Sequence, residues 1–433
     1  MIYFALWTLY IGASFAVLFR LKKVELSKLC FMDGILFGLI FYLMAPLLIA
    51  MLAGSISGQF ILVPPYHPFQ DVMTTLNIIA CAFLISVLHA VLPRPGNQSG
   101  KVSRISEEAP LLSLALFCYL LVSVVSFVQT GIANGGHWFH SVHEGLENSP
   151  LILITKHISS TLRTAIFGLL YYRWRGKKIS LAIALSVGAG VVVFDSFTTF
   201  NRISAAYYGT MVIMMMAKSR FTQISFITAS LLVVPQASNV WTTFRGLFSV
   251  RGYSIDSFQQ ALFDAVRYNG QYEMAFADKL NGIFESINLT VINHIINQAG
   301  DGIPAMWGST FLLRPATFYI PKMIWEGRPE SYGFVLGRGI NRLEQLALNS
   351  TLLGEAFGNF LYLWPFALSG VLALYTLAYN KISNFHPSVG FAAAFMAFAM
   401  WRLDSSFGTI GLAFLLLSLI GISTIYQRRA PYR

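Results

Sequence analysis

The sequence predicts an all-α polytopic membrane protein, and three observations predict it. Charged residues make up only 11% of the 433 positions, and the mean hydropathy is +0.61, both far from the values of a soluble chain of this length. Basic residues gather in short runs on alternate loops between long apolar stretches. One segment, 237–348, departs from this pattern: it is mildly polar and holds as many acidic as basic side chains. The expected architecture is a bundle of membrane helices with one large loop on the far side.

A spanning helix needs roughly 20 mostly apolar residues. Eleven stretches qualify: about 2–19, 31–50, 73–92, 111–128, 150–172, 179–197, 203–217, 221–236, 350–377, 388–401 and 407–426. The first eight form residues 1–236 and the last three fall in 349–433. Stretches 203–217 and 388–401 are short. Aromatic residues are abundant, with 36 Phe among them, which suits lipid contact and the two interfaces.

The basic runs orient the bundle. Arg20, Lys22, Lys23 and Lys28 follow the first stretch, and Arg94, Lys101 and Arg104 the third. Arg173, Arg175, Lys177 and Lys178 follow the fifth, Lys218 and Arg220 the seventh, Lys381 the ninth, and Arg428, Arg429 and Arg433 the last. Positive charge marks the cytoplasmic side, so the N-terminus is expected outside and the C-terminus inside. The same pattern removes nucleic acid as the reason for the net charge of +11. The first stretch is apolar from Met1 and reads as a retained helix, not a cleaved leader. Cys30, Cys81 and Cys118 sit in or beside three different apolar stretches, so packing explains them better than a disulfide or a metal site.

The long loop is patterned. Apolar residues at helical spacing over 257–266 and 272–296 predict two amphipathic helices on the membrane core or under a cap. Beyond Gly300 glycine, proline and aromatics dominate, which reads as a shaped and packed loop. Unstructured loops of this length are uncommon without a function.

Arginine is the main chemical signal. Arg202, Arg245, Arg251, Arg267, Arg314, Arg328, Arg338, Arg342 and Arg402 all fall on the expected outer side, and planar bidentate donors suit phosphate, pyrophosphate and acidic sugars. Arg202 and Arg402 are placed at outer helix ends in short turns, where snorkelling to the interface is the alternative. Asp195, near the outer end of the sixth stretch, needs a partner or a role at membrane depth. Arg202 is the expected partner, and a structural ion pair competes with catalysis. Asp33 reads as a helix-start residue. Glu355 lies in the ninth stretch among Gly354, Ala356 and Gly358, where it could act as a base or hold an arginine. His294 sits late in the second amphipathic stretch. His137, His140 and His143 have metal-ligand spacing if helical, but the surrounding glycines favour a solvated loop, and no metal is expected. No P-loop, nucleophile elbow or HExxH is present, which argues against an ATP-driven pump, a serine hydrolase and a zincin.

Two segments, Ile320-Pro-Lys-Met-Ile-Trp-Glu-Gly-Arg-Pro329 and Asn349-Ser-Thr-Leu-Leu-Gly-Glu-Ala-Phe-Gly358, together with the layout, resemble the bacterial O-antigen or exopolysaccharide repeat-unit polymerases, the Wzy family. The first is similar to that family's proline–basic–aromatic–proline segment, with Lys322 where arginine is frequent and Arg328 where lysine is frequent. The second is similar to the segment by which the chain re-enters the membrane. The two segments cover 20 residues and the layout covers most of the chain.

The resemblance implies a GT-C-like helical bundle in the bacterial inner membrane that needs no cofactor. Its substrates would be undecaprenyl-pyrophosphate-linked oligosaccharides, with membrane lipids and a separate chain-length regulator as partners. It implies Arg202, Arg314 and Arg328 near the pyrophosphate, with Arg245, Arg251, Arg338 and Arg342 as second choices. Glu355, His294 and Asp195 compete for the general base. An O-antigen ligase, which moves the glycan to lipid A core, and a non-catalytic transporter or flippase of lipid-linked sugars are the alternatives.

Overall fold

In the computed structural model the described residues are 1–25, 28–56, 63–95, 111–127, 150–199, 203–217, 219, 222, 240–241, 243–244, 246–248, 250–251, 255–271, 282, 284–317, 320, 324–341, 348–383, 387–402, 405, 408–409 and 411–412. Among them the chain is almost wholly helical and contains no strand. The helices are α1 (Ile2–Leu21), α2 (Phe31–Ala53), α3 (Val72–Val91), α4 (Leu111–Phe127), α5 (Pro150–Arg175), α6 (Leu181–Thr199) and α7 (Ile203–Met216). They continue with α8 (Ile255–Gln271), α9 (Asn288–Gln298), α10 (Arg314–Thr317), α11 (Tyr332–Asn341), α12 (Thr351–Phe360), α13 (Trp364–Ser383) and α14 (Pro387–Met400).

The chain divides into two compact units. One contains Met1–Ala109 and Phe284–Arg433, the other Pro110–Ile283.

Helix α1 shows why the first unit suits a membrane. Its buried positions, Leu6, Tyr10, Ala13 and Val17, recur at helical spacing and face the bundle, where α1 packs on α3. The opposite face carries Phe4, Phe15, Leu18 and Phe19, all exposed. A soluble helix would place polar residues there, and an exposed apolar face of this size calls for lipid or a partner. Among the described residues, four helical stretches are long and apolar enough to cross a membrane: Ile2–Leu21, Phe31–Ala53, Val72–Val91 and Thr351–Ser383. Leu112–Val125, Leu181–Ser196 and Val389–Met400 are apolar but shorter. The chain is thus compatible with a multi-pass membrane protein. Nine of the eleven apolar stretches fall on described helices. Nearly all of 221–236 and of 407–426 lies outside the described residues.

Helix α2 contains a π turn at Ile40–Met44, and the Tyr10 hydroxyl donates to the Met44 carbonyl within it at 3.0 Å. At its start the Asp33 carboxylate accepts the Cys30 N–H at 2.9 Å, which is the helix-start role expected of it. The same carboxylate holds His89 and Arg94, each at 2.9 Å. Gly34 and Gly38 let α14 lie directly against α2: a Cβ at Gly34 would collide with the Ala394 carbonyl, and one at Gly38 with the Trp401 ring. The Trp401 indole N–H closes this contact on the Ile35 carbonyl at 3.0 Å.

The ninth stretch is not one span. Helix α12 ends at Phe360, the next residue Leu361 has φ +49°, and a short 3-10 turn over Leu361–Leu363 leads into α13. Helix α13 alone, with 20 residues, is about 30 Å long and matches the hydrocarbon thickness. All of α12 from Thr351 to Asn359 is buried. The apolar run 350–377 hides the break because both helices are apolar in different settings: α12 is buried, whereas α13 exposes Phe366, Leu374 and Leu377.

In the second unit α4 packs on α5, and α5 on α6 and α7. The amphipathic α8 buries Ala261 and Ala265 against Phe244 and Phe248. The other expected amphipathic helix, 272–296, is interrupted where it is described: Gly282 is helical, Phe284–Ile287 form turns with Glu285 at φ +49°, and helix resumes at Asn288. Residues 272–281 lie outside the described residues.

Candidate functional site

In the first unit, polar groups assemble around Glu355, the fifth residue of α12 and fully buried. The Ser405 N–H donates to Oε2 at 3.0 Å, and the Ser405 hydroxyl lies 3.4 Å from Oε1. That hydroxyl is also 3.2 Å from the Phe311 carbonyl. Ser405 therefore ties the carboxylate to the π turn Ser309–Leu313, which runs directly into α10.

One turn along α12, Asn359 Oδ1 accepts the N–H groups of Thr310 at 3.3 Å and Phe311 at 3.4 Å. Its Nδ2 donates to Thr310 Oγ1 at 2.7 Å and to the Glu355 carbonyl at 2.8 Å. First-turn N–H groups have no partner within their own helix, so Asn359 caps the π turn from the side. Small residues make room for this packing. Gly354 lies against Ile295 of α9, and a Cβ at Gly358 would overlap the Tyr332 hydroxyl. Tyr332 opens α11 and is fully buried. Burial and the adjacent Glu355 charge push its pKa up, so the phenol stays protonated. Among the described residues its oxygen has no hydrogen-bond partner.

Two arginines stand close in sequence to this cluster. Arg314 follows three residues after Phe311, and Arg328 precedes Tyr332 by four. Arg314 donates to the Pro329 carbonyl at 3.4 Å, and Arg328 to the Ile320 carbonyl at 2.7 Å. Both are half-buried. Burial and the nearby Arg314 charge lower the Arg328 pKa, while Glu330 opposes the shift. The two guanidinium groups thus lie near one another, each held by a backbone carbonyl. Arg338 on α11 pairs with Glu330 at 2.6 Å.

Glu355, Arg314, Arg328 and Arg338 thus all belong to the first unit, with Glu355 linked through Ser405 to the turn that precedes Arg314. His294 lies on α9, which packs on α12. It is half-buried, and desolvation lowers its pKa, so it is neutral at ordinary pH. Arg202, Arg245, Arg342 and the three histidines at 137, 140 and 143 lie outside the described residues.

Arg402 does not stand level with the far end of α2. Helix α14 runs beside α2 in the same direction, with Gly390 at Leu29, Ala394 at Gly34 and Trp401 at Gly38. Its tip is therefore only about 12 Å along α2 from its start, far short of Ala53. There Arg402 pairs with Glu285 at 3.1 Å. Fourteen residues give only about 21 Å of helix, and sequence spacing alone did not reveal where that shortfall lies.

Asp195 belongs to the second unit, and Arg202, the partner expected from the sequence, lies outside the described residues. Arg163 of α5 donates to Asp195 Oδ2 at 2.5 Å, and the Tyr119 hydroxyl to Oδ1 at 3.3 Å. Arg163 also reaches Ser160 Oγ at 3.1 Å and lies 5.7 Å from the Tyr207 ring centroid. All four helices α4–α7 contribute, so the pair is a crosslink of that bundle. Tertiary packing places a residue 32 positions earlier in the chain against the carboxylate. Sequence reading passed over Arg163, although a lone arginine within an apolar stretch was the available signal. Arg251 is also in this unit, paired with Asp264 at 2.6 Å on the surface.

Sequence reading also passed over Ser405, Asn359 and Tyr332, neutral residues with no distinctive spacing. No protein-family model, no curated protein and no solved structure matches this chain.

Proposed function

We propose that this protein is a repeat-unit polymerase of the Wzy type: an eleven-span, GT-C-like glycosyltransferase of the bacterial inner membrane, with its N-terminus periplasmic and its C-terminus cytoplasmic. It transfers an undecaprenyl-pyrophosphate-linked glycan to a second lipid-linked repeat unit at the periplasmic face. The observation that carries this reading is the pairing of Arg314 and Arg328, held by backbone carbonyls, a few residues along the chain from the contacts of a buried carboxylate, Glu355.

Each part has a chemical task in this reading. The acceptor hydroxyl oxygen forms a bond to the anomeric carbon as the bond from that carbon to the pyrophosphate oxygen breaks. The electron pair leaves with undecaprenyl pyrophosphate, whose growing charge the two guanidinium groups stabilise. Glu355, oriented by Ser405, receives the hydroxyl proton. Tyr332, kept protonated, is a neutral donor beside it.

The test is reconstitution in vesicles with a single lipid-linked repeat unit. A ladder of lengthened lipid-linked chains is expected, and it should collapse when Arg314 and Arg328 are both replaced by Ala. Wild-type protein that makes no ladder, but moves glycan to lipid A core, would replace this reading with the ligase.

A further inference from the structure

A stretch of the long polar segment carries an apolar outer face. Over Ser309–Thr317 the residues that face inward, Thr310, Phe311 and Pro315, are buried. They are fixed there by Asn359 and Ser405. The residues on the other side are Leu312 and Leu313, 48% and 43% exposed, with Ala316 also exposed. Just before them, Trp307 is 68% exposed and adopts φ +47°. A helix on an aqueous surface shows the reverse polarity.

The apolar face continues onto the start of α13. Gly308 lies against Phe360 and Leu312, and Gly300 against Leu361. The Met306 N–H donates to the Gly358 carbonyl at 3.1 Å. Beside that seam, Tyr362 is 71% exposed and Phe366 78%. These residues sit at the head of a helix whose length matches a bilayer. Exposed Trp and Tyr at the ends of apolar helices mark the membrane–water interface.

We infer that Trp307–Thr317 is a membrane-inserted element that lies in the bilayer interface, with Trp307, Leu312 and Leu313 among acyl chains. Its occupant is the lipid bilayer itself, because the exposed face is continuous with that of α13. Arg314 follows Leu313 directly, so its guanidinium stands at the level of lipid phosphates, where long basic side chains settle. The Arg314–Arg328 pair is then reached from the lipid edge, and the segment 237–348 is not wholly an aqueous loop. The inference depends on the membrane character of the apolar helices and not on the transferase reading, so either can fail alone.

Nitroxide labelling of Trp307→Cys, Leu312→Cys and Leu313→Cys in reconstituted vesicles tests it. The native cysteines stay in place, with the signal of similarly treated wild-type protein subtracted. Glu326→Cys, at an exposed charged position, serves as the aqueous reference and Phe366→Cys as the lipid reference. Power saturation with oxygen and with a water-soluble nickel chelate reads depth. The labels at 307, 312 and 313 should favour oxygen over nickel, as at 366 and opposite to 326. Nickel accessibility at 312 and 313 equal to that at 326 would overturn the inference. An aqueous 307 with lipid-exposed 312 and 313 would also overturn it as stated, since Trp307 is part of the inserted face.

Discussion

Glu355 and Asp195 are both fully buried carboxylates in apolar helices, yet they are held differently. Asp195 is gripped by a guanidinium and a phenol in a bundle of four helices. Glu355 is oriented by the N–H and hydroxyl of Ser405, a residue that also bonds the turn carrying Phe311. An ion pair satisfies a charge and ties it to the fold. The contacts described around Glu355 tie α12 to the turn carrying Phe311, whereas those around Asp195 tie four helices together. Burial alone therefore does not distinguish a structural carboxylate from a chemical one, and substitution is what separates the two.

The largest expected effect bears on the structural half of this contrast. Arg163→Ala or Asp195→Ala leaves one buried charge without its partner, which costs about 3–5 kcal/mol. The double variant Arg163→Met with Asp195→Leu should recover much of this in thermal unfolding in lipid or detergent. If neither single variant shifts the unfolding temperature, the crosslink assignment fails. Glu355→Gln should behave oppositely. Its unfolding temperature should stay near wild type, because the amide can still accept from Ser405, while chain elongation falls by about 10²–10⁴-fold, the usual contribution of a general base. Unchanged elongation would remove Glu355 from the chemistry.

Arg314→Ala should slow elongation by about 10²–10³-fold, as for loss of one donor to a developing charge, and Arg314→Lys should retain part of the rate. Equal rates for all three proteins would separate the cationic pair from the reaction. Gly358→Ala should cost about 1–3 kcal/mol through overlap with Tyr332. Adding Tyr332→Phe should relieve part of that cost, and additive losses would contradict the contact. The smallest effect concerns His294, whose pKa is lowered by burial. The unfolded chain takes up that proton first, so stability is full above an unfolded pKa of about 6.5 and declines as pH falls below it. In His294→Gln the fall in unfolding temperature between pH 8 and pH 5 should be smaller.

The candidate site was only partly legible in the sequence. Glu355 stood out because a carboxylate among glycines in an apolar run is costly, and Arg314 because it interrupts Phe311–Leu313. Ser405, Asn359 and Tyr332 were not legible, since neutral polar residues are common and only their contacts make them matter. Arg163 was legible as an arginine within an apolar stretch, but its contact with Asp195 was not, because the two lie 32 positions apart and meet only through helix packing.

Hydropathy and charge spacing determined by themselves that this chain is helical and apolar enough for a membrane. Those properties are local sums over one face or one turn of helix. Tertiary structure decided that α12 and α13 are separate helices, that α14 stops beside Gly38, and that Asp195 meets Arg163. Each of these depends on which surfaces come together, such as a glycine admitting a neighbouring helix or a side chain capping another segment's turn, and such pairings are not written in any one stretch of sequence.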